Sequence, residues 1–433
     1  MNDVRVVVVG AGPGGMAAAA AAAESGCKVT LLDENAAAGG QLWRGASAEA
    51  PQTSPHSDQY AQWMKRLKAS KAEFLPNSTV VDAPAECVLR VECEGRWQDL
   101  RWDRMILATG ARERFLPFPG WTLQGVLGVG GLQALVKGGL PITGKRTVVA
   151  GTGPLLLAVA AGLNRAGARV LGIFEQATWA RLLGFGLTLA SHPDKLLEGV
   201  GYQWRMRSVP YKAGWWVARA IGQDRLEAVV VSDGHEERRI ACDYLACGYH
   251  LVPNLELAQL LGCRIDGGYV AVNARQETSV AGVLCVGEPT GIGGLDKALV
   301  EGEIAGLAAA GQVGKAAHFQ PMQEKMRNFA KRLDETFALR AELRALATAE
   351  TIVCRCEDVT RGVLENCANG RASKLHTRCG MGPCQARICG PATEFLFGWS
   401  ASAVRPPIYP ASVSTVAADP ESQASPPETS EMP

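Results

Sequence analysis

The chain opens on a sharp change of pattern. Val4–Val9 (VRVVVV) is a short run of β-branched residues, as in a parallel strand buried on both faces. GAGPGG at residues 10–15 interrupts it. The alanine-rich block that runs to about Gly26 predicts a helix, and KVTLL predicts a second strand ending at Asp33-Glu34. Residues 46–58 are polar and predict a loop, whereas 59–72 have the period of an amphipathic helix. STVVDA (78–83) and the alternating stretch 87–102 predict sheet strands, and MILATG predicts a strand ending at Thr109-Gly110. Residues 145–175 (KRTVVAGTGPLLLAVAAGLNRAGARVLGIFE) then repeat the opening strand, glycine turn, helix and strand. Such self-similarity is the strongest organisational signal in the chain. LEAVVV, RRIACDYLACGY and GGYVAV predict the strands that close the second unit. Residues 277–306 predict a strand ending at Gly287 and a following helix. Residues 315–348 are charged and helical in period. The stretch after Trp399 is Pro-rich and irregular, and ADPESQASPPETSEMP at the end has a disordered composition.

The two glycine turns have a chemical reading. In the first, Gly10 makes the tight turn, Gly12 lets a pyrophosphate approach the backbone, and Gly15 allows close helix–strand packing. Pro13 and Gly14 complete the turn, and the helix N-terminus offers its amides to the phosphates. An acid about 20 residues on holds the ribose hydroxyls in such sites. Asp33 is the better placed, with Glu34 as its rival. In the second turn Gly151 and Gly153 match, but Leu156 replaces the third glycine. Glu175 ends the second strand there, and a carboxylate at that point favours a free 2′-hydroxyl, hence NAD, ATP or ADP over NADP. The second fold reads equally as a working NAD site, a holder of a static adenine nucleotide, or a vestige. Arg181 reads as a surface charge.

A third site lies between Cys354 and Cys389, a stretch holding six of the thirteen cysteines. Cys354 and Cys356 form a C-x-C pair. Cys379 and Cys384 form a second pair around GMGP, whose glycines allow amide N–H groups to reach sulfur. Four thiolates suit an iron–sulfur cluster or a structural zinc. The absence of two C-x2-C knuckles favours the cluster. Cys389 reads as a buried helix cysteine.

Composition narrows the class. With 47% hydrophobic and 20% charged residues the chain is globular, and a net charge of +1 gives no reason to expect nucleic-acid binding. Thirteen cysteines without a secretory pattern imply a reducing, cytoplasmic setting, with any membrane association made through partners. The run from Val6 to Ala23 is broken by glycines and lacks a basic leader, so no transmembrane segment is expected. Residues 178–217 are rich in Trp, Leu and Arg. They read either as a helical cap or as a contact surface for another protein chain. His192 and His250 read as structural.

GG at 39–40 after the ribose acid resembles the two-dinucleotide-fold flavoproteins of the glutathione-reductase type. There the AAAGGQLWR segment (Gly40, Gln41, Arg44) passes the FAD pyrophosphate and flavin. Gln41 and Trp43 stand where disulfide reductases carry their redox cysteines, so disulfide reduction is not expected. The same resemblance places Val81, Thr109 and Gly110 against the nucleotide. In VGEPTG, Gly287 is followed by Glu288 where the family has a ribitol-binding aspartate. CRCEDVT and TRCGMGPCQARIC resemble the bacterioferritin-associated-ferredoxin-like [2Fe-2S] module, with C-x4-C in place of C-x2-C at the second pair. Nearly the whole chain resembles the α subunits of multisubunit FAD-dependent amino-acid dehydrogenases, the group of opine oxidases, proline and hydroxyproline dehydrogenases and hydrogen cyanide synthase. The resemblance implies an α/β protein with two Rossmann-like folds, one inserted in the other, and a small C-terminal α-helical [2Fe-2S] module. Residues 1–135 and 269–348 would bind FAD and bridge onward, 136–268 would form the second nucleotide fold, 349–395 the cluster module and 396–433 a tail. The implied partners are a D-amino-acid-oxidase-like flavoprotein, which forms the β subunit, and in some complexes a small ferredoxin-like γ subunit. The chain would relay electrons from the β subunit. The rival readings are a stand-alone NADH-dependent reductase and a non-catalytic cluster-holding scaffold.

Overall fold

The structure is a computed structural model, which describes residues 3–44, 57–189, 193–399 and 404–418. The chain forms two compact units. One comprises residues up to Arg112, Pro253–Lys331 and the segment from Ala403; the other comprises Glu113–Val252 and Arg332–Ser402.

The first unit is built on a five-stranded parallel sheet in the order Val283–Cys285, Arg104–Leu107, Arg5–Val9, Lys28–Leu32, Glu73–Leu75. The central strand is buried on both faces, which explains its unbroken valines. Helix Pro13–Glu24 is almost all alanine and buried on nearly every side. It packs on helix Leu295–Ala309, and the small residues serve that contact. A Cβ added at Gly302 would strike the Gly14 carbonyl, and one at Gly306 would strike that of Ala18. The two backbones touch, and only glycine and alanine permit that distance. A three-stranded antiparallel sheet, Ser78–Ala85, Val88–Cys93 and Arg96–Arg101, completes the unit.

Over its described part the Pro-rich stretch packs on this sheet and is not a free tail. The Ile408 N–H donates to the Val81 carbonyl, and Ile408 is buried with Val80 and Leu89. Arg90 donates to the Ala418 carbonyl, and Glu92 accepts from Ser412. Apolar Ile408 and the partners of Arg90 and Glu92 tie this stretch to the sheet. The remainder of the disordered-looking end, 419–433, lies outside the described residues, as does His192.

The second unit repeats the architecture. Its parallel sheet runs Tyr211–Ala213, Arg169–Glu175, Arg146–Thr152, Tyr244–Tyr249, Val126–Leu127. An antiparallel sheet of Trp216–Ile221, Ala228–Ser232 and Glu237–Ala241 accompanies it. Residues 352–397 add two short strands and the helices Arg361–Glu365, Gly370–Thr377 and Cys389–Phe397. The helical period expected to 348 stops earlier. Helix Gln320–Phe337 ends at Phe337, and 338–340 run without regular structure into a short 3₁₀ turn at Ala341–Ala345. Their backbone groups bond to the side chains of Gln176 and Arg181 instead of continuing the helix. No helix among the described residues is long and apolar enough to cross a membrane.

Candidate functional site

The first glycine turn divides its labour as the spacing predicts. Gly10 has φ +104°, and a Cβ there would strike the Ala108 carbonyl; a Cβ at Gly15 would strike the carbonyl of Gly10. Both positions are closed by packing. Gly12 is different: nothing lies within 4 Å of a Cβ built there. It caps helix Pro13–Glu24 with extended backbone and no side-chain cap, so the first-turn amides face open space. Gly40 folds back over Gly12, its own Cβ position lying 2.9 Å from the Gly12 Cα. Asp33 is buried, and its Oδ2 accepts from Ala11 N–H at 2.6 Å while Oδ1 accepts from both nitrogens of Asn35. Arg44 donates to Asn35 Oδ1. Glu34 and Gln41 are exposed. Thr109 and Gly110 are tied to Asn254, with Thr109 Oγ1 donating to its carbonyl at 2.7 Å. Val81 is buried, with its carbonyl occupied by Ile408. An open cradle above Gly12, framed by Gly40 and Asp33, fits an FAD diphosphate and ribose.

The turn after Gly287 is held from below. Glu288 is half-buried, and its carboxylate accepts from Gly293 N–H at 3.2 Å and Gly294 N–H at 2.9 Å, next to the start of helix Leu295–Ala309. Each oxygen keeps a lone pair for a ribitol hydroxyl. Beneath it sits a pair that sequence reasoning missed. Lys297 is 1% exposed and Glu301 fully buried. Lys297 Nζ donates to the Gly287 carbonyl, Thr290 Oγ1 and Glu301 Oε2 at 2.7–2.9 Å. Glu301 Oε2 also accepts from Gly287 N–H and Thr290 Oγ1. The pair staples residues 287–290 to the helix. Its i, i+4 spacing in LDKALVEG was the available signal, but that spacing ordinarily marks a solvated helix face.

In the second turn Gly151 is closed by the Gly248 carbonyl, whereas a Cβ at Gly153 meets nothing within 4 Å. Leu156 is buried in the place of the third glycine. Glu175 has no exposed surface. Its Oε1 accepts from Thr152 Oγ1 and Ala177 N–H, and its Oε2 from Gly153 N–H, all at 2.7–2.8 Å. Burial pushes this carboxyl up to about 7 despite those bonds. A native pKa above the unfolded one gives stability that is full below about pH 4 and is lost as pH rises through about 7. The amount is on the order of 3 kcal/mol. We expect Glu175→Gln to remove that decline. Urea unfolding of wild type and variant at about pH 5 and about pH 8 measures it; equal changes with pH in the two proteins would refute the assignment.

The cysteines gather in the second unit. The thiols of Cys354, Cys379 and Cys389, all buried, lie within 4.8 Å of one another. Cys356 is exposed and is hydrogen-bonded to half-buried Cys384, both thiols being free. Cys354, Cys356, Cys384 and Cys389 line a single pocket with Arg355 and Ile388. Hydrogen bonds from Cys379 and Cys389, then from the amides of Gly380 and Glu357, draw the Cys354 thiol down towards thiolate. Gly382 is required where it stands, since a Cβ there would strike the Cys356 Cβ. Cys389 begins helix Cys389–Phe397 and is buried, as expected, but it also faces the pocket. The all-sulfur donor set fits an iron–sulfur cluster. His250, by contrast, sits 3.4 Å from Asp334 in a structural pair away from these thiols.

Two glycine-turn sheets and a nest of thiols define a nucleotide-dependent redox protein. The chain belongs to the pyridine nucleotide-disulphide oxidoreductase family, whose model matches residues 4–312, and it is an FAD-dependent oxidoreductase. The HcnB component of hydrogen cyanide synthase from Pseudomonas aeruginosa is 32% identical over 89% of this chain and 91% of its own. A subunit of opine oxidase from Rhizobium meliloti is 31% identical over 95% and 98%. Among solved structures, L-proline dehydrogenase from P. horikoshii superposes with a TM-score of 0.66 at 15% identity, over 96% of this chain and 79% of that one. Thioredoxin reductase of T. acidophilum gives 0.55 at 22% identity, over 72% and 99%.

Proposed function

We propose that this chain is the electron-relaying subunit of a heteromeric amino-acid dehydrogenase of the proline, hydroxyproline or opine type. In this reading the two parallel sheets are two dinucleotide folds of glutathione-reductase type, the second inserted in the first, and residues 349–395 are a [2Fe-2S] module. The observation that carries it is the presence of a diphosphate cradle and a five-thiol nest in one chain. The similarity to proteins named as subunits, across about nine-tenths of the length, supports it. When bound, FAD converts an electron pair into single electrons, which a [2Fe-2S] centre carries.

The chain's own residues would prepare both sites. Gly12 and Gly40 leave room for the diphosphate, and Asp33 orients the ribose side. Lys297 and Glu301 keep the turn that bears Glu288 in one conformation, so Glu288 meets the ribitol without reorganisation. Cys354, Cys356 and Cys384 would be cluster ligands, and their shared pocket favours Cys389 over Cys379 as the fourth. Gly382 lets its loop approach Cys356 closely.

A separate flavoprotein would do the amine oxidation. A zwitterionic substrate needs a free buried cation, and Lys297, the buried cation near the Glu288 turn, is spent on three acceptors. Helices Trp179–Thr188 and Pro193–Arg205 carry Leu183, Leu187, Leu197 and Trp204 each at least two-thirds exposed, an apolar face suited to a contact with that flavoprotein. Dye-linked oxidation of proline, hydroxyproline and opine substrates tests the reading. We expect turnover only after co-expression with a D-amino-acid-oxidase-like flavoprotein from the same gene cluster. Comparable turnover by the lone chain would place catalysis here and end the relay reading.

A further inference from the structure

The segment Phe337–Leu346, between the long helix and the cysteine module, lies on the second glycine turn. We infer that it is a built-in occupant of the ribose and adenine half of that fold, closing the fold to NAD(H) and to any adenosine-bearing ligand. In open parallel sheets a nucleotide lies outside the carboxyl ends of the strands, with its ribose on the acid that ends the second strand. Here those ends are Thr152 and Glu175, and the chain itself reaches them. Gln176, next to the acid and fully buried, donates to Thr152 Oγ1 at 2.9 Å and to the Ala338 carbonyl at 3.4 Å, and its Oε1 accepts from Arg340 N–H at 3.1 Å. Arg181, which the sequence reads as a surface charge, donates to the same Ala338 carbonyl at 3.0 Å. The Phe337 ring meets Phe185 edge-on at 5.5 Å, and the Arg340 guanidinium lies 4.9 Å over Trp216.

Two further facts make this an occupied site. Glu175 has no exposed surface with the segment seated, so no ribose hydroxyl reaches it in this state. The segment is also anchored by apolar burial: Leu343 is 1% exposed, and with Leu339 and Leu346 it packs in the core that holds Phe174, Trp215 and Trp216. A Cβ at Gly153 meets nothing within 4 Å, so that side of the turn stays open, although its amide is already given to Glu175.

The inference rests on the second fold alone and stands whether or not the chain relays electrons. FAD-saturated protein should be examined by hydrogen exchange with and without millimolar ATP, and again with NADH. We expect neither nucleotide to protect residues 151–156 in the native chain. Protection there with faster exchange at 337–346 would overturn the closure, because the ligand has then displaced the segment. Protection of 151–156 with exchange at 337–346 unchanged or slowed overturns it. Gln176→Ala removes the side chain that joins Thr152 to the segment. It should speed exchange at 337–346 and tighten ATP binding, each by about tenfold. If that variant fails to fold, the native measurement decides by itself. Flavin reduction is not the readout, so failure here is distinct from failure of the relay reading.

Discussion

Gly12→Val is expected to empty the FAD site while leaving the protein folded, with flavin affinity falling at least about a hundredfold, or ~3 kcal/mol. The two halves of that expectation have separate causes. A Cβ at Gly12 meets no protein atom within 4 Å, so the branch point of the valine enters open space in the apoprotein. The space it enters is the one the diphosphate needs, beside the uncapped amides of helix Pro13–Glu24. Gly15→Val is the control with the opposite balance. Its Cβ strikes the Gly10 carbonyl, so it should lower the melting temperature as well as the flavin content. Heat release of the cofactor and its chromatographic identification, alongside thermal unfolding, measure both effects. A Gly12→Val protein that retains stoichiometric FAD would show that the diphosphate lies elsewhere.

Serine substitutions across the thiol nest should split into two groups. Cys354→Ser, Cys356→Ser, Cys384→Ser and Cys389→Ser are each expected to abolish the visible absorption of the cluster, and Cys379→Ser to retain it. The reason is the pocket, which those four thiols line together. Cys379 lies within 4.8 Å of Cys354 and Cys389 but does not line that pocket. Metal analysis of the wild type should give iron in about a two-to-one ratio to protein, without stoichiometric zinc. Loss of colour in Cys379→Ser with retention in Cys389→Ser would restore the C-x4-C pair of Cys379 and Cys384 as the ligands. Stoichiometric zinc would overturn the cluster itself.

Cys389 illustrates where sequence reasoning runs out. Cys379, Cys384 and Cys389 stand at equal spacing, so the sequence offers two C-x4-C pairs, of which its reading takes Cys379 with Cys384 and leaves Cys389 as a buried helix cysteine. The choice depends on how the GMGP loop wraps, and Gly382 lets that loop come against Cys356.

Other features were legible because their cause is local. A strand, a glycine turn and a helix must succeed one another within a few residues for the backbone to approach a phosphate, so Gly10, Gly12, Gly15 and Asp33 declare themselves in order. The alanine run announced a helix by composition, and the repeat at 145–175 announced a second sheet. Hidden from such reading is whatever lies far along the chain but near in space. Lys297 and Glu301 look like a solvated pair until the 287–290 turn is found bonded to both, with neither charge left exposed. Residues 337–346 look like the end of a charged helix until their carbonyls and amides are found on Gln176 and Arg181, more than 150 residues earlier. Which residues could shape a nucleotide turn, and which could bind a metal, was written in the sequence, because those demands fall on neighbours in the chain. Which turn is open and which is covered was set by the folded chain, because a buried polar group takes whichever partner packing brings to it.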